Sequence, residues 1–196
     1  TAKKRYIMNV WNNEGVSYNE PQLKVMGIEA VRSSTPQACR TSIKDCLKVI
    51  MSKDEDAVIN FVAQFRQQFS TMPFEDVAFP RGCKNLSGYI DKPKSVPIHV
   101  RAALTYNQML KDKKLDQRYQ LINDGDKIKF CYMKLPNPSR ENVFACPQTL
   151  PRQLGMDQYI DYNTQFEKAF VEPIKTILDA IGWRVEKKAS LDDFWS

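Results

Sequence analysis

Residues 5–50 read RYIMNVWNNEGVSYNEPQLKVMGIEAVRSSTPQACRTSIKDCLKVI, and within this stretch the spacing of apolar residues changes from two to about 3.6. In RYIMNVW, Tyr6, Met8 and Val10 fall on one side and Ile7, Asn9 and Trp11 on the other. NNEG then supplies a turn and QLKVMGIEAV a second strand-like run, which predicts a β-hairpin with both faces partly covered. After Ser33, Ser34, Thr35 and Pro36, the apolar residues Cys39, Ile43, Cys46, Leu47 and Ile50 recur one helical turn apart. An amphipathic helix follows, with hydroxyls at its N-terminus. A hairpin that gives way to helices without an alternating βαβ pattern predicts an α+β fold.

Further along the chain, Ser52 and Glu55 have the spacing of a capping box, with Asp54 and Asp56 in the first turn of a second helix. Val58, Val62, Phe65 and Phe69 form its buried stripe. From Met72 to Pro97 the sequence is rich in proline, glycine and lysine with no sustained period, which predicts a long irregular excursion. A helix is expected from about Pro97 to Leu110, then a charged connection and the turn Asp124-Gly125-Asp126. KIKFCYM, with Ile128, Phe130 and Tyr132 together on one side, predicts a strand that a shorter one at Val143 to Cys146 pairs with. Residues 156–183 read as one long helix interrupted at Pro173, and 187–196 have no room for a packed element. The whole is a β-hairpin followed by a mostly helical body with a small sheet.

With 196 residues, 42% hydrophobic and 27% charged, the chain can bury an ordinary core. No apolar run approaches the roughly 20 residues that cross a bilayer, and the opening TAKKRYIMNVW lacks the apolar stretch of a signal peptide. Neither a membrane span nor export is expected. The net charge of +6 favours anionic partners. Cys39, Cys46, Cys83, Cys131 and Cys146 are odd in number and make no CxxC pair, which speaks against a disulfide framework or zinc ribbon and for a reducing compartment.

The single histidine, His99, excludes HExxH and leaves any Ser-His-Asp or Cys-His mechanism dependent on one residue. Its place behind Pro97 suits a packed or capping role. With seven glycines and neither GxGxxG nor GxxxxGK[ST], the common nucleotide-cradling loops are absent. Asp54, Glu55 and Asp56, and Asp124 and Asp126, are two carboxylate clusters that invite a magnesium reading, and helix capping and a turn explain them better.

Two segments point to nucleic acid. Lys3, Lys4, Arg5 and Tyr6 open a strand whose alternation puts a cation and an aromatic ring, Lys4 and Tyr6, on one face. Ser33, Ser34 and Thr35 stand at a helix N-terminus beside Arg32, where hydroxyls and unpaired amides receive anions.

KKRYIMNVW, YNEPQLKVMGIEAVRSSTP, IHVRAALTYN and the terminal KKASLDDFW occur in an order and spacing that resembles the C-terminal part of family B DNA polymerases of T-even-type bacteriophages, from residue 3 to residue 195. The resemblance implies that residues 1–30 are the last strands of the polymerase palm, 31–186 the thumb and 187–196 a flexible sliding-clamp-binding tail. It implies further that Lys3, Lys4, Arg5 and Tyr6 reach the primer strand and that Arg32, Ser33, Ser34 and Thr35 meet duplex phosphates. Arg81 and Lys84 lie in a loop shorter than in those phage polymerases and are candidates for further phosphate contacts. In the tail, Leu191, Phe194 and Trp195 have the spacing of clamp-binding peptides, with Lys188 where many have glutamine.

By the same resemblance the catalytic aspartates, and the magnesium of the complete polymerase, lie upstream of this chain. No cofactor is expected within it. Its expected role is to grip primer–template duplex and tether a replicative DNA polymerase to the phage clamp in the host bacterial cytoplasm, inactive without the missing N-terminal portion. Both an excised fragment and a split-gene product fit that expectation. The alternatives are a clamp-binding adaptor that never grips duplex, and a hydrolase around His99, for which nucleophile and orienting carboxylate are lacking.

Overall fold

The computed structural model describes residues 6–27, 32–90 and 95–186. Strands β1 (Tyr6–Asn13) and β2 (Val16–Met26) form the expected hairpin, antiparallel with Tyr6 opposite Met26, Met8 opposite Lys24 and Val10 opposite Gln22. Glu14 and Gly15, at φ 53° and 87°, make the two-residue connection, a left-handed pair whose twist suits a hairpin. Asn12 Oδ1 accepts the Gly15 N–H at 3.1 Å. The expected partial covering of both faces is met on one, where Ile7 and Val25, paired across the strands, are half-buried against the core. Trp11 is 60% and Val16 58% exposed, and Tyr6, Met8 and Met26 are exposed too, because the two-stranded sheet has no third strand or helical layer of its own among the described residues.

The body begins with α1 (Gln37–Ser52), which buries Cys39, Ile43, Cys46, Leu47 and Ile50 as the spacing predicted. Its partner α2 (Glu55–Phe69) buries Val58, Val62, Phe65 and Phe69. The N-cap of α2 is Asp54, whose Oδ1 accepts the Ala57 N–H at 2.9 Å, so the cap lies two residues beyond the expected Ser52 and, with alanine at the third helical position, forms no box. Ser52 belongs to the last turn of α1, where its Oγ donates to the Lys48 carbonyl.

The region expected to be irregular contains α3 (Phe74–Val77), β3 (Phe79–Gly82) and a 3₁₀ turn at Ser87–Tyr89. β3 joins β4 (Lys127–Tyr132), which pairs with β5 (Val143–Cys146), in an antiparallel sheet of order β3-β4-β5. As an edge strand β3 tolerates Pro80, and its pairing rests on distant partners such as Phe79 with Phe130. On β5 lies α4 (Ile98–Asp112), with the Tyr106 and Phe144 rings 6.0 Å apart.

The predicted long helix starts late, as α5 (Tyr162–Phe166), passes through a π segment at Glu167–Val171 and continues as α6 (Glu172–Ile181). Pro173, in the first turn of α6, has no N–H to give the preceding turn, and the wider π spacing adjoins that gap. Phe65, Phe69, Phe166 and Phe170 from these helices form the aromatic centre of the core, their centroids 4.7 to 5.9 Å apart. Each such ring contributes roughly 1.5–3 kcal/mol by its burial. Fully buried Gln165 bridges layers: its Oε1 accepts the Tyr132 N–H at 3.0 Å and its Nε2 donates to the Val77 carbonyl at 2.6 Å.

After α6, Gly182 adopts φ 74° and the chain turns back along α2. Arg184 Nε meets Glu55 Oε1 at 3.3 Å, and Arg66 holds both Glu186 and, at 2.8 Å, Glu167. All five cysteines are free thiols in the core, and burial pushes those of Cys39, Cys46 and Cys146 up to about 12. No helix among the described residues is long and apolar enough to cross a membrane.

Candidate nucleic-acid interface

The N-terminus of α1 is capped without a side chain, because its N-cap residue is Pro36. What holds the preceding segment is a pair of guanidiniums. Arg40, one turn into α1, points back toward the helix start, as helical side chains do. Its Nη2 donates to the Ser33 carbonyl at 2.7 Å and its Nε to the Thr35 carbonyl at 3.0 Å. Arg81, on β3, donates from Nη1 to the Ser34 carbonyl at 2.9 Å and to its own strand at Pro80. A turn closes where the Thr35 N–H meets the Arg32 carbonyl at 3.3 Å.

Of the residues expected here, Arg32 and Ser33 are exposed and Ser34 is half-buried. Thr35, at 5% exposure, lies beneath the surface, so it does not present its hydroxyl outward with the two serines as the helix start alone suggested. Arg81 is half-buried, its guanidinium 5.9 Å from the Phe79 ring centroid, and loss of solvent lowers its pKa, with Tyr132 opposing. Lys84 lies exposed just beyond β3. His99, in the first turn of α4, is half-buried, and burial together with the Arg81 charge lowers its pKa. Guanidiniums from two elements, α1 and β3, thus meet at one helix N-terminus, where unpaired amides and positive charge favour anions.

Tyr6 belongs to the separate hairpin sheet, partly exposed, and the register puts it on the same face as Met8 and Lys24. Lys3, Lys4 and Arg5 lie outside the described residues, as do Leu191, Phe194 and Trp195. Arg40 and Lys24 were not singled out by sequence reasoning. A signal for Arg40 existed in its position, one turn after Pro36.

The carboxylate clusters are occupied with backbone and ion-pair partners. Asp124 Oδ1 accepts the Leu86 N–H at 3.2 Å and Asp126 Oδ2 the Asn123 N–H at 2.7 Å. Glu55 accepts from the Arg184 N–H at 2.6 Å. Among the described residues no three or more His, Cys, Asp or Glu cluster as metal ligands. A cleft of about 630 Å³ between the α2–α3 turn and residues 149–162 is lined by none of the interface residues.

This α+β body, with two guanidiniums on the segment that enters α1, is found in a chain whose relatives include phage DNA-directed DNA polymerases. It is 30% identical over 198 residues to the DNA-directed DNA polymerase of Enterobacteria phage T4, a match covering 97% of this chain and 22% of that one. With the DNA-directed DNA polymerase of Escherichia phage RB69 it is 32% identical over 203 residues, covering 100% of this chain and 22% of the relative. The resemblance to polymerases of T-even-type phages therefore holds along the whole chain, which spans about a fifth of these relatives' length, an extent consistent with a C-terminal fragment. No family model matches.

Proposed function

We propose that this chain is the part of a phage replicative DNA polymerase that grips primer–template duplex by its backbone and ties the enzyme to a sliding clamp. In this reading residues 1–30 complete the palm, 31–186 are the thumb and 187–196 the clamp-binding tail. The observation that supports it most is the guanidinium-held segment at the α1 N-terminus, in a chain related over its full length to DNA polymerases. Arg32, Ser33, Ser34 and Lys84 meet duplex phosphates from the body. Lys3, Lys4, Arg5 and Tyr6 approach the primer side, where Lys24 shares the face of Tyr6. Leu191, Phe194 and Trp195 are the apolar anchors offered to the clamp. Catalytic carboxylates and magnesium belong to the remainder of the polymerase, which also covers the exposed apolar side chains of the hairpin. The chain alone therefore incorporates no nucleotide.

Fluorescence anisotropy with a labelled primer–template duplex across a salt series tests the reading. Affinity is expected to fall with salt at a log–log slope of about −0.9 for each phosphate neutralised, and Lys4→Ala and the paired change Ser33→Ala, Ser34→Ala are each expected to weaken binding. Deletion of 187–196 should leave duplex binding intact and abolish capture by the phage clamp. Clamp capture by a wild type that binds no duplex at low salt would establish the adaptor alternative.

A further inference from the structure

We propose that Arg40 and Arg81 are positioning residues, two guanidiniums that hold segment 33–35 from beneath so that its outward edge can receive a phosphate of the duplex. The proposal rests on the duplex-binding reading above and assigns to Arg81 a different task from phosphate contact.

Three consecutive carbonyls, those of Ser33, Ser34 and Thr35, accept hydrogen bonds from arginines on two separate elements, α1 and β3. In a trans peptide the C=O and the N–H leave opposite edges. With the Ser33 oxygen drawn to Arg40, the Ser34 N–H is turned the other way, and drawing the Ser34 oxygen to Arg81 turns the Thr35 N–H likewise, toward the Arg32 carbonyl. Carbonyl oxygens left facing the approaching phosphate would repel it. Held on guanidiniums, they instead leave the Ser34 N–H and the exposed Ser33 side chain to that side, while the Thr35 N–H closes the turn.

The task suits arginine. Arg40 reaches two carbonyls two residues apart with Nε and Nη2 at once, a fork that a lysine ammonium does not offer. Arg81 is braced by the Pro80 carbonyl and the Phe79 ring, so the segment is tied to the sheet as well as to its own helix. Pro36 supplies no side-chain cap of its own, and these two arginines take over the work of ordering the helix entry.

A direct phosphate ligand and a positioning residue respond differently to Arg→Lys, which keeps the charge and loses the fork. We expect Arg40→Lys and Arg81→Lys each to weaken duplex binding by about five-fold, the scale of a lost hydrogen bond. Each should also speed hydrogen exchange at the Thr35 amide in the free protein, with the melting temperature monitored to confirm folding. In an Arg40→Lys background the paired change Ser33→Ala, Ser34→Ala should add nothing further, because the segment is already displaced. Multiplying effects with unchanged exchange would make Arg40 an independent phosphate contact and overturn the proposal. So would wild-type affinity in both lysine variants. Failure of the wild type to bind duplex at low salt overturns the duplex reading and this role with it, whereas wild-type binding that both lysine variants retain overturns this assignment alone.

Discussion

His99 shows how far a single residue can be read and where its neighbours take over. The chain has one imidazole, and its location behind Pro97 pointed to packing rather than catalysis. In the fold it is half-buried near Arg81, and burial, then that charge, disfavours its protonation. The native state therefore binds fewer protons than the unfolded chain between the lowered value and the ordinary 6.5. The corresponding stability is present above that ordinary value and is lost as pH falls through the lowered one. We expect the urea midpoint of the wild type to drop more steeply than that of His99→Gln between about pH 7 and pH 5. Parallel curves for the two proteins would show that the imidazole is not coupled to folding. Arg40 is the opposite case: its sequence signal is only its position one turn after Pro36, and its role depends on where the Ser33 and Thr35 carbonyls turn.

At the scale of elements, hydrophobic spacing was legible and boundaries were less so. The buried rows of α1 and α2 fall on the residues their period names, since the same i, i+3, i+4 pattern that makes a stripe makes a core face. The cap moved from Ser52 because two candidates compete at one junction, and the chain remains helical through Ser52, leaving Asp54 to cap without a reciprocal glutamate. Asp54→Ala should cost about 1 kcal/mol of stability as the Ala57 N–H loses its acceptor. Ser52→Ala, which removes only a hydroxyl bonded to its own helix, should change it by no more than a few tenths. Chemical denaturation of the two variants checks the order, and a larger loss for Ser52→Ala would restore the box. β3 was illegible for a different reason: four residues including Pro80 and Gly82 carry no period, and their strand character comes entirely from pairing with β4, far along the chain. The π segment was likewise hidden, since Pro173 announces an interruption without saying which geometry absorbs it.

For the molecule as a whole, the division between hairpin and body follows from where burial lies. The core cluster of buried side chains begins at Cys39 and ends at Leu178, and among the described residues the hairpin adds to it only the half-buried Ile7 and Val25. The body contains complete layers: α1 and α2, the β3-β4-β5 sheet with α4 upon it, and the α5–α6 helix that supplies Phe166 and Phe170. The hairpin instead exposes Trp11 and Val16 and has two strands only, a size that is marginally stable in water by itself. A chain from which residues 1–30 are removed should therefore fold cooperatively, with a thermal midpoint within about 4 °C of the full chain, equivalent to roughly 1 kcal/mol for a body of this length. The retained body keeps Arg40 and Arg81 on segment 33–35, so its duplex affinity should fall only by the share contributed at Lys4 and Tyr6. Calorimetry and the same anisotropy titration measure both quantities on one preparation. A broad or strongly lowered transition would mean that the hairpin is part of the body's folding unit. A sharp transition with no residual duplex binding would place the whole grip on the hairpin and remove the α1 N-terminus from the interface.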